Sequence, residues 1–279
     1  MDLILLLRLA AALAGTGVAA WQDARTSFID DRITLSMIAV GAALCVFEAA
    51  QAADKTPWLW VAAVAIAIGA IGYAAWRAGQ FGGGDVLLFI GLQLLLPFNP
   101  VAAVPYPFIV SILVAASFFG SVWTAAWYAK RLREERALAA GKNVLCVAAL
   151  ALAAAAFAWA SLSLAQTLFF AALFASAFFL SLYKSEIMAR VVVKRIPLSE
   201  VEDEDVLSLD ELPKRLKARY AIGKVLTKAE IARLRKIGLK EKIRVWPVCK
   251  ELPRFAPFVL AGLIACLAVG DLVLFVLMH

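Results

Sequence analysis

VAAVAIAIGAIGYAAWRAGQFGGGDVLLFIGLQLLL (61–96) holds two apolar runs joined by a short turn, with an aspartate at the start of the second run. Crossing a bilayer core takes about 20 apolar residues in a helix. Extended along the chain, the same pattern predicts spans at 3–22, 33–52, 57–77, 84–97, 103–129, 143–161, 165–184 and 256–278. The fourth is short, and SLSLAQ (161–166) divides the sixth from the seventh. Apolar residues make up 63% of the 279, and mean hydropathy is +0.84. A soluble domain holds roughly 45–50%. The expected fold class is therefore an all-α polytopic membrane protein of six to eight transmembrane helices, with a small mixed α/β domain before the last helix. The expected division is a helical bundle over 1–184, a soluble domain over 185–255 and a final helix over 256–279.

The net charge of +7 is unevenly placed, with Lys and Arg concentrated in 130–142 and 184–254. Basic loops beside spans mark the cytoplasmic side, and no nucleic-acid-binding motif accompanies them, so no nucleic acid partner is expected. Counting spans from those loops puts 23–32 and 78–84 on the cytoplasmic side and both termini outside. The first apolar run lacks a basic leader of its own, which makes it a retained helix rather than a cleaved signal. Arg8, near its outer end, is expected to reach for the headgroups. Within 185–255, MARVVVKRI and EKIRVW read as strands and EVEDEDVLSLDEL as a solvated acidic run. LTKAEIARLRKIG reads as a helix with a Thr227/Glu230 capping box and a stop at Gly238.

His279 is the one histidine, and Cys45, Cys146, Cys249 and Cys266 are far apart. Histidine-based nucleophilic catalysis, zinc ribbons and dithiol redox chemistry are thereby excluded, and no metal site is expected. Acid–base chemistry is left to Asp, Glu, Lys or Tyr. Two turns hold the unusual carboxylates: WQDARTSFIDDRIT (21–34) with Asp23, Asp30 and Asp31, and GGGD with Asp85. The span count places Asp23, at the end of helix 1, and Asp85, at the start of helix 4, at the same face of the bilayer. Ionisable groups at membrane depth are functional candidates, although Asp85 is also an ordinary N-terminal helix residue. Capping alone does not need Gly82, Gly83 and Gly84 before it; consecutive glycines permit close backbone approach, here that of an extended substrate strand. Two neighbouring carboxylates share a proton, so one acts as base toward water while the other protonates a scissile carbonyl. No cofactor is required by that chemistry.

At these residues the chain resembles the prepilin and preflagellin (archaellin) peptidases, the GxGD membrane aspartic proteases. GGGD (82–85) matches GxGD, and DARTSFIDDRIT (23–34) resembles the first-aspartate segment D-x-R-x-x-x-I-P-(N/D)-x-L-T. Asp23, Arg25, Ile29, Asp31 and Thr34 match in spacing, Ile33 stands for leucine and Asp30 for proline. The basic stretch and the Pro-Phe-led helix over 242–275 are also similar to archaeal members. The resemblance implies an endopeptidase in the plasma membrane with catalytic Asp23 and Asp85, cutting the basic leader from type IV prepilins or pre-archaellins at the cytoplasmic face. It implies no methyltransferase activity, because the cysteine-rich insert of bacterial members is absent. Asp30 and Asp31 either attract the basic leader or cap helix 2, and Arg25 either orients a carboxylate or marks the cytoplasmic side. Beyond substrate and the lipid bilayer no partner is implied, and no motif sets an oligomeric state. Asp271 is expected to join helices. The rival readings are a transporter with a carboxylate ion or proton site, a presenilin-like intramembrane protease and a non-catalytic scaffold. Against the first, the aspartates lie at the membrane edge and no internal repeat occurs; against the second, no Tyr-Asp or Pro-Ala-Leu motif occurs.

Overall fold

The computed structural model describes residues 3–159, 163–202, 205–271 and 273–274. Part of the SLSLAQ division, residues 203–204 of the acidic run, the end of the last expected span and His279 lie outside the described residues. Seven apolar helices come first: α1 (Leu3–Thr26), α2 (Asp31–Gln51), α3 (Thr56–Arg77), α4 (Gly83–Leu95), α5 (Phe108–Glu134), α6 (Ala140–Trp159) and α7 (Leu164–Leu182). A short α8 (Lys184–Glu186) passes into a π-helical turn (Ile187–Val192). The small domain follows, with β1 (Val193–Ile196), β2 (Asp205–Leu207), α9 (Lys214–Tyr220), β3 (Val225–Leu226), α10 (Lys228–Glu241) and β4 (Trp246–Cys249). Then α11 (Ala256–Val269) rejoins the bundle.

Among the described residues, α1, α2, α3, α5 and α7 are long and apolar enough to cross a membrane, and α4, α6 and α11 are shorter apolar helices. Large apolar side chains such as Leu59, Ile66, Ile71 and Leu152 stand more than two-thirds exposed on the outside of the bundle. Such a surface belongs in lipid. The chain is a polytopic membrane protein with a small α/β domain near its end.

The helices form a run of neighbours: α4 lies between α2 and α3, α1 against α4, α2 and α11, α11 against α5, α5 against α7, and α7 against α6. Ala12, Ala19, Leu88, Leu92, Ile112 and Leu263 are fully buried at the seams, where small residues let backbones approach. With 13 residues, α4 spans about 20 Å, less than the roughly 30 Å of hydrocarbon. Its last carbonyls, Leu94 O and Leu95 O, accept from Arg8 Nη1 at 2.8 and 2.9 Å. Arg8 also pairs with Glu48. Arg8 therefore does not reach outward as its position in the sequence implies. Helix-end carbonyls buried away from water need donors, and the guanidinium supplies them.

The four strands are antiparallel in the order β1-β4-β2-β3, with Val193 opposite Cys249 and Ile196 opposite Trp246. Leu207, Leu226, Leu234, Trp246 and Val248 form the core under the helices. Five expectations shift here. MARVVVKRI is a strand only from Val193, because Ile187–Val192 continues the helix from the bundle. EKIRVW is mostly turn, and the strand begins at Trp246. The acidic run is not a solvated face throughout: it contains β2, whose Leu207 is fully buried, and ends at buried Leu212. Thr227 caps α10, accepting from Glu230 N at 3.3 Å, but the Glu230 side chain accepts from Gly223 N at 2.9 Å, so the box is half made. Nor does α10 stop at Gly238: it runs to Glu241, and Lys242 at φ +55 ends it. A Cβ on Gly238 would stand 3.0 Å from Ile243 O, so close packing explains that glycine.

Asp271 lies just past α11, after Gly270 at φ +93, rather than along the helix. It accepts from Asn99 Nδ2, Tyr106 Oη and Ser111 Oγ at 3.0, 2.7 and 2.5 Å, tying the chain after α11 to α5 and the loop before it.

At the opposite end, Lys142 Nζ joins the start of α6 to Glu186 Oε1 at 2.6 Å. That hydrogen bond, helped by Ser185, holds the Glu186 carboxyl well below its ordinary value, at about 2. A carboxyl with a depressed folded-state pKa adds stability above its unfolded value of 4.5, and that stability is lost as pH falls toward about 2. The unfolding temperature in detergent is expected to drop across that window, and Lys142→Met to reduce the drop; thermal scans of both proteins from pH 5 to 2 check it.

Candidate active site

The last turn of α1 carries Asp23, which is buried. The helix ends at Ser27, whose φ of +57 turns the chain while its N–H donates to Asp23 O at 2.9 Å. This is a left-handed helix end of the usual kind. The loop to α2 is fastened by Gln22, whose Oε1 accepts from Asp30 N at 3.0 Å. Asp30 then caps α2 by accepting from Arg32 N at 2.9 Å.

Asp85 stands in the first turn of α4, whose N-cap is Gly82. A backbone hydrogen bond from Gly82 reaches its carboxylate, the return half of a capping box. Asp23 lies near enough to act electrostatically on Asp85. The fold therefore brings together, at one end of the bundle, two carboxylates that are 62 positions apart in the sequence.

The glycines do not all serve the purpose their sequence implies. Gly83 and Gly84 are helical, Gly82 is extended at φ −71, and none of the three has a positive φ. The space beside Gly84 is filled by Ile29: a Cβ there would stand 2.9 Å from Ile29 Cβ. Gly84 thus lets the loop after Asp23 lie directly on the helix that bears Asp85. Gly82 remains exposed, and a Cβ on it would stand 3.2 Å from Asp85 Oδ2.

Of the remaining candidates, Arg25 lies over the Trp21 ring, 4.6 Å from its centroid. It makes no ion pair with a carboxylate among the described residues. Asp31 is exposed in the first turn of α2. Three residues that the sequence does not single out complete the site. Ala256 N donates to Asp23 Oδ2 at 3.0 Å, Arg254 bonds to the end of α1, and Phe255 stands edge-on to Phe81 and Phe89. Arg254 reads in sequence as one more positive charge before a span, which is why it passes unnoticed. Among the described residues no three His, Cys, Asp or Glu side chains form a metal cluster. An arrangement of two neighbouring carboxylates, each held by a backbone donor, can pass a proton between water and a carbonyl.

Comparison with known proteins bears on the same region. Residues 10–125 match the model of the type IV leader peptidase family. Prepilin peptidase EppA of Methanothermobacter thermautotrophicus is 34% identical over 98 residues, which are 35% of this chain and 25% of that protein. The chain thus aligns with about a quarter of the length of the curated relative it matches. No solved structure matches.

Proposed function

We propose that the protein, whose residues 10–125 match the type IV leader peptidase family, is a membrane aspartic endopeptidase. It removes the basic leader of type IV prepilins or pre-archaellins at the cytoplasmic face, without methyltransferase activity. The observation that carries this reading is the convergence of Asp23 and Asp85 within that segment, beside the small domain. In the proposed reaction one carboxylate takes a proton from water as the water oxygen bonds to the scissile carbonyl carbon. The other gives its proton to the carbonyl oxygen. As the tetrahedral intermediate collapses the C–N bond breaks, the protonated carboxyl gives its proton to the leaving amine, and the ionised carboxylate takes a proton from a hydroxyl of the intermediate, which restores the shared proton. Asp23 Oδ2 already accepts from Ala256 N, so the shared proton rides on Asp23 Oδ1 or on Asp85. The exposed face of Gly82 is where a substrate backbone approaches Asp85, and exposed Asp31 meets the basic leader.

The test is cleavage in membranes. A prepilin or pre-archaellin precursor is incubated with the purified protein in vesicles, and the new N-terminus is read by mass spectrometry. Cutting directly after the basic leader supports the proposal. Cutting within the apolar helix favours the presenilin-like reading, and no cutting of a panel of both precursor types overturns the peptidase assignment.

Gly84 offers a second test. With Ile29 against it, Gly84→Ala is expected to lift the 27–30 loop from α4 and shift Asp23 relative to Asp85. Displacing a catalytic group by about 1 Å costs roughly 100-fold in rate. A kcat lowered by about that factor, with the chain still folded in detergent, is the expected result; a kcat within twofold of wild type contradicts it.

A further inference from the structure

After β4 the chain returns to the bundle through 250–255, and three consecutive residues at the end of that return hold both aspartate turns. Arg254 Nε donates to Ser27 Oγ at 3.2 Å, and Arg254 Nη1 donates to Ala24 O. Ala24 O lies in the last turn of α1, where carbonyls lack helical partners. The Phe255 ring stands edge-on to Phe81 at 5.8 Å and to Phe89 at 5.9 Å, one residue on each side of Asp85. Ala256 is the first residue of α11, and its N–H, an orphan donor at a helix start, goes to Asp23 Oδ2. The small domain makes a second contact at the same end: the Lys224 side chain lies over Gly79, in the turn that leads to Asp85. A groove of about 840 Å³ runs beside this return, walled by Ala24, Ser27, Trp127, Arg254 and Phe258.

We infer that Arg254, Phe255 and Ala256 form a clasp through which the small domain sets Asp23 against Asp85, with Arg254 as its positioning residue. Arg254 holds the return segment on the end of α1, and that hold keeps the Ala256 N–H on the carboxylate. Phe255 fixes the same segment to α4. The domain thereby belongs to the catalytic machinery rather than standing apart as a scaffold. The effect on turnover rests on the peptidase reading; the clasp itself does not.

The experiment compares wild type, Arg254→Gln, Arg254→Lys and Phe255→Leu as full-length protein in vesicles. Two readouts are taken: steady-state kinetics on a leader substrate, and hydrogen exchange resolved by peptide. Arg254→Gln is expected to lower kcat about tenfold or more with KM within about twofold, because position and not binding is lost. Arg254→Lys recovers part of kcat, since an ammonium reaches one acceptor but not two. Phe255→Leu gives an intermediate loss. Exchange over 253–258 is expected to quicken at least about tenfold in Arg254→Gln, while peptides of α10 keep the wild-type rate, showing the domain folded. A kcat within twofold of wild type, a loss confined to KM, or unchanged exchange over 253–258 overturns the inference. If wild type cuts no leader substrate, the peptidase reading falls and the exchange comparison alone decides the clasp.

Discussion

Asp23→Asn and Asp85→Asn are each expected to reduce leader cleavage by about a thousandfold or more while the protein still folds. A positioned acid or base is worth about 10²–10⁴ in rate. Each substitution removes one of those roles and also the proton the pair exchanges, which places the loss toward the upper end. Both changes keep shape. The asparagine carbonyl at 23 can still accept from Ala256 N, and at 85 it can still accept from the Gly82 backbone, so the contacts of Asp23 and Asp85 are retained. Single-turnover cleavage in vesicles, beside an unfolding scan, separates lost chemistry from lost structure. Cleavage by either variant at more than about a tenth of the wild-type rate makes that aspartate structural and sinks the dyad.

The second large effect is on stability, at the other end of α4. The Arg8 side chain is 5% exposed and that of Glu48 27%. Removing one partner of such a pair costs about 3–5 kcal/mol, because the other charge is left buried and unpaired. Glu48→Leu is expected to cost that much. Arg8→Met is expected to cost at least as much, because Leu95 O loses its donor as well and Leu94 O is left with Cys45 Sγ alone. The double variant is expected to be more stable than Glu48→Leu alone, since no unpaired charge remains. A double-mutant cycle from denaturant unfolding in mixed micelles measures the coupling. Additive losses would mean that the pair is not coupled and that Arg8 acts only as a cap on α4.

The two predictions concern opposite ends of one helix. Asp85 opens α4 and Arg8 closes it, so a helix too short to reach both membrane faces by itself is fixed at each terminus. In the proposed mechanism, such fixing of α4 would suit a carboxylate whose distance from its partner sets the rate.

Much of this was legible from residue order. Hydropathy is a local property of a run of residues, and a helix rises a fixed 1.5 Å per residue, so each of the first seven apolar helices overlaps a predicted run, while the last, expected over 256–278, ends at Val269. The same counting put Asp23 and Asp85 at one end of the bundle, and the resemblance of DARTSFIDDRIT and GGGD to family motifs marked them as the candidate pair. The small domain was harder to read. Its strands have two to four residues, too few for an alternating pattern to fix their ends, so MARVVVKRI and EKIRVW were misplaced.

What holds the aspartates was decided by tertiary structure. The Ala256 N–H reaches Asp23 across 233 positions, and Ile29 reaches Gly84 across a whole helix hairpin. In lipid, the outward face of a helix is as apolar as its packed face, so no periodic signal tells which side of α1 meets α11. Arg8 shows the same limit. A lone cation near a span end reads as bound for the headgroups, and only the arrival of Leu94, Leu95 and Glu48 beside it turns it inward. Composition and spacing thus determined that this is a membrane protein with two carboxylates at one face. Which backbone donor, cation and aromatic ring hold them in place depended on the order in which the helices pack, and no local sequence pattern carries that order.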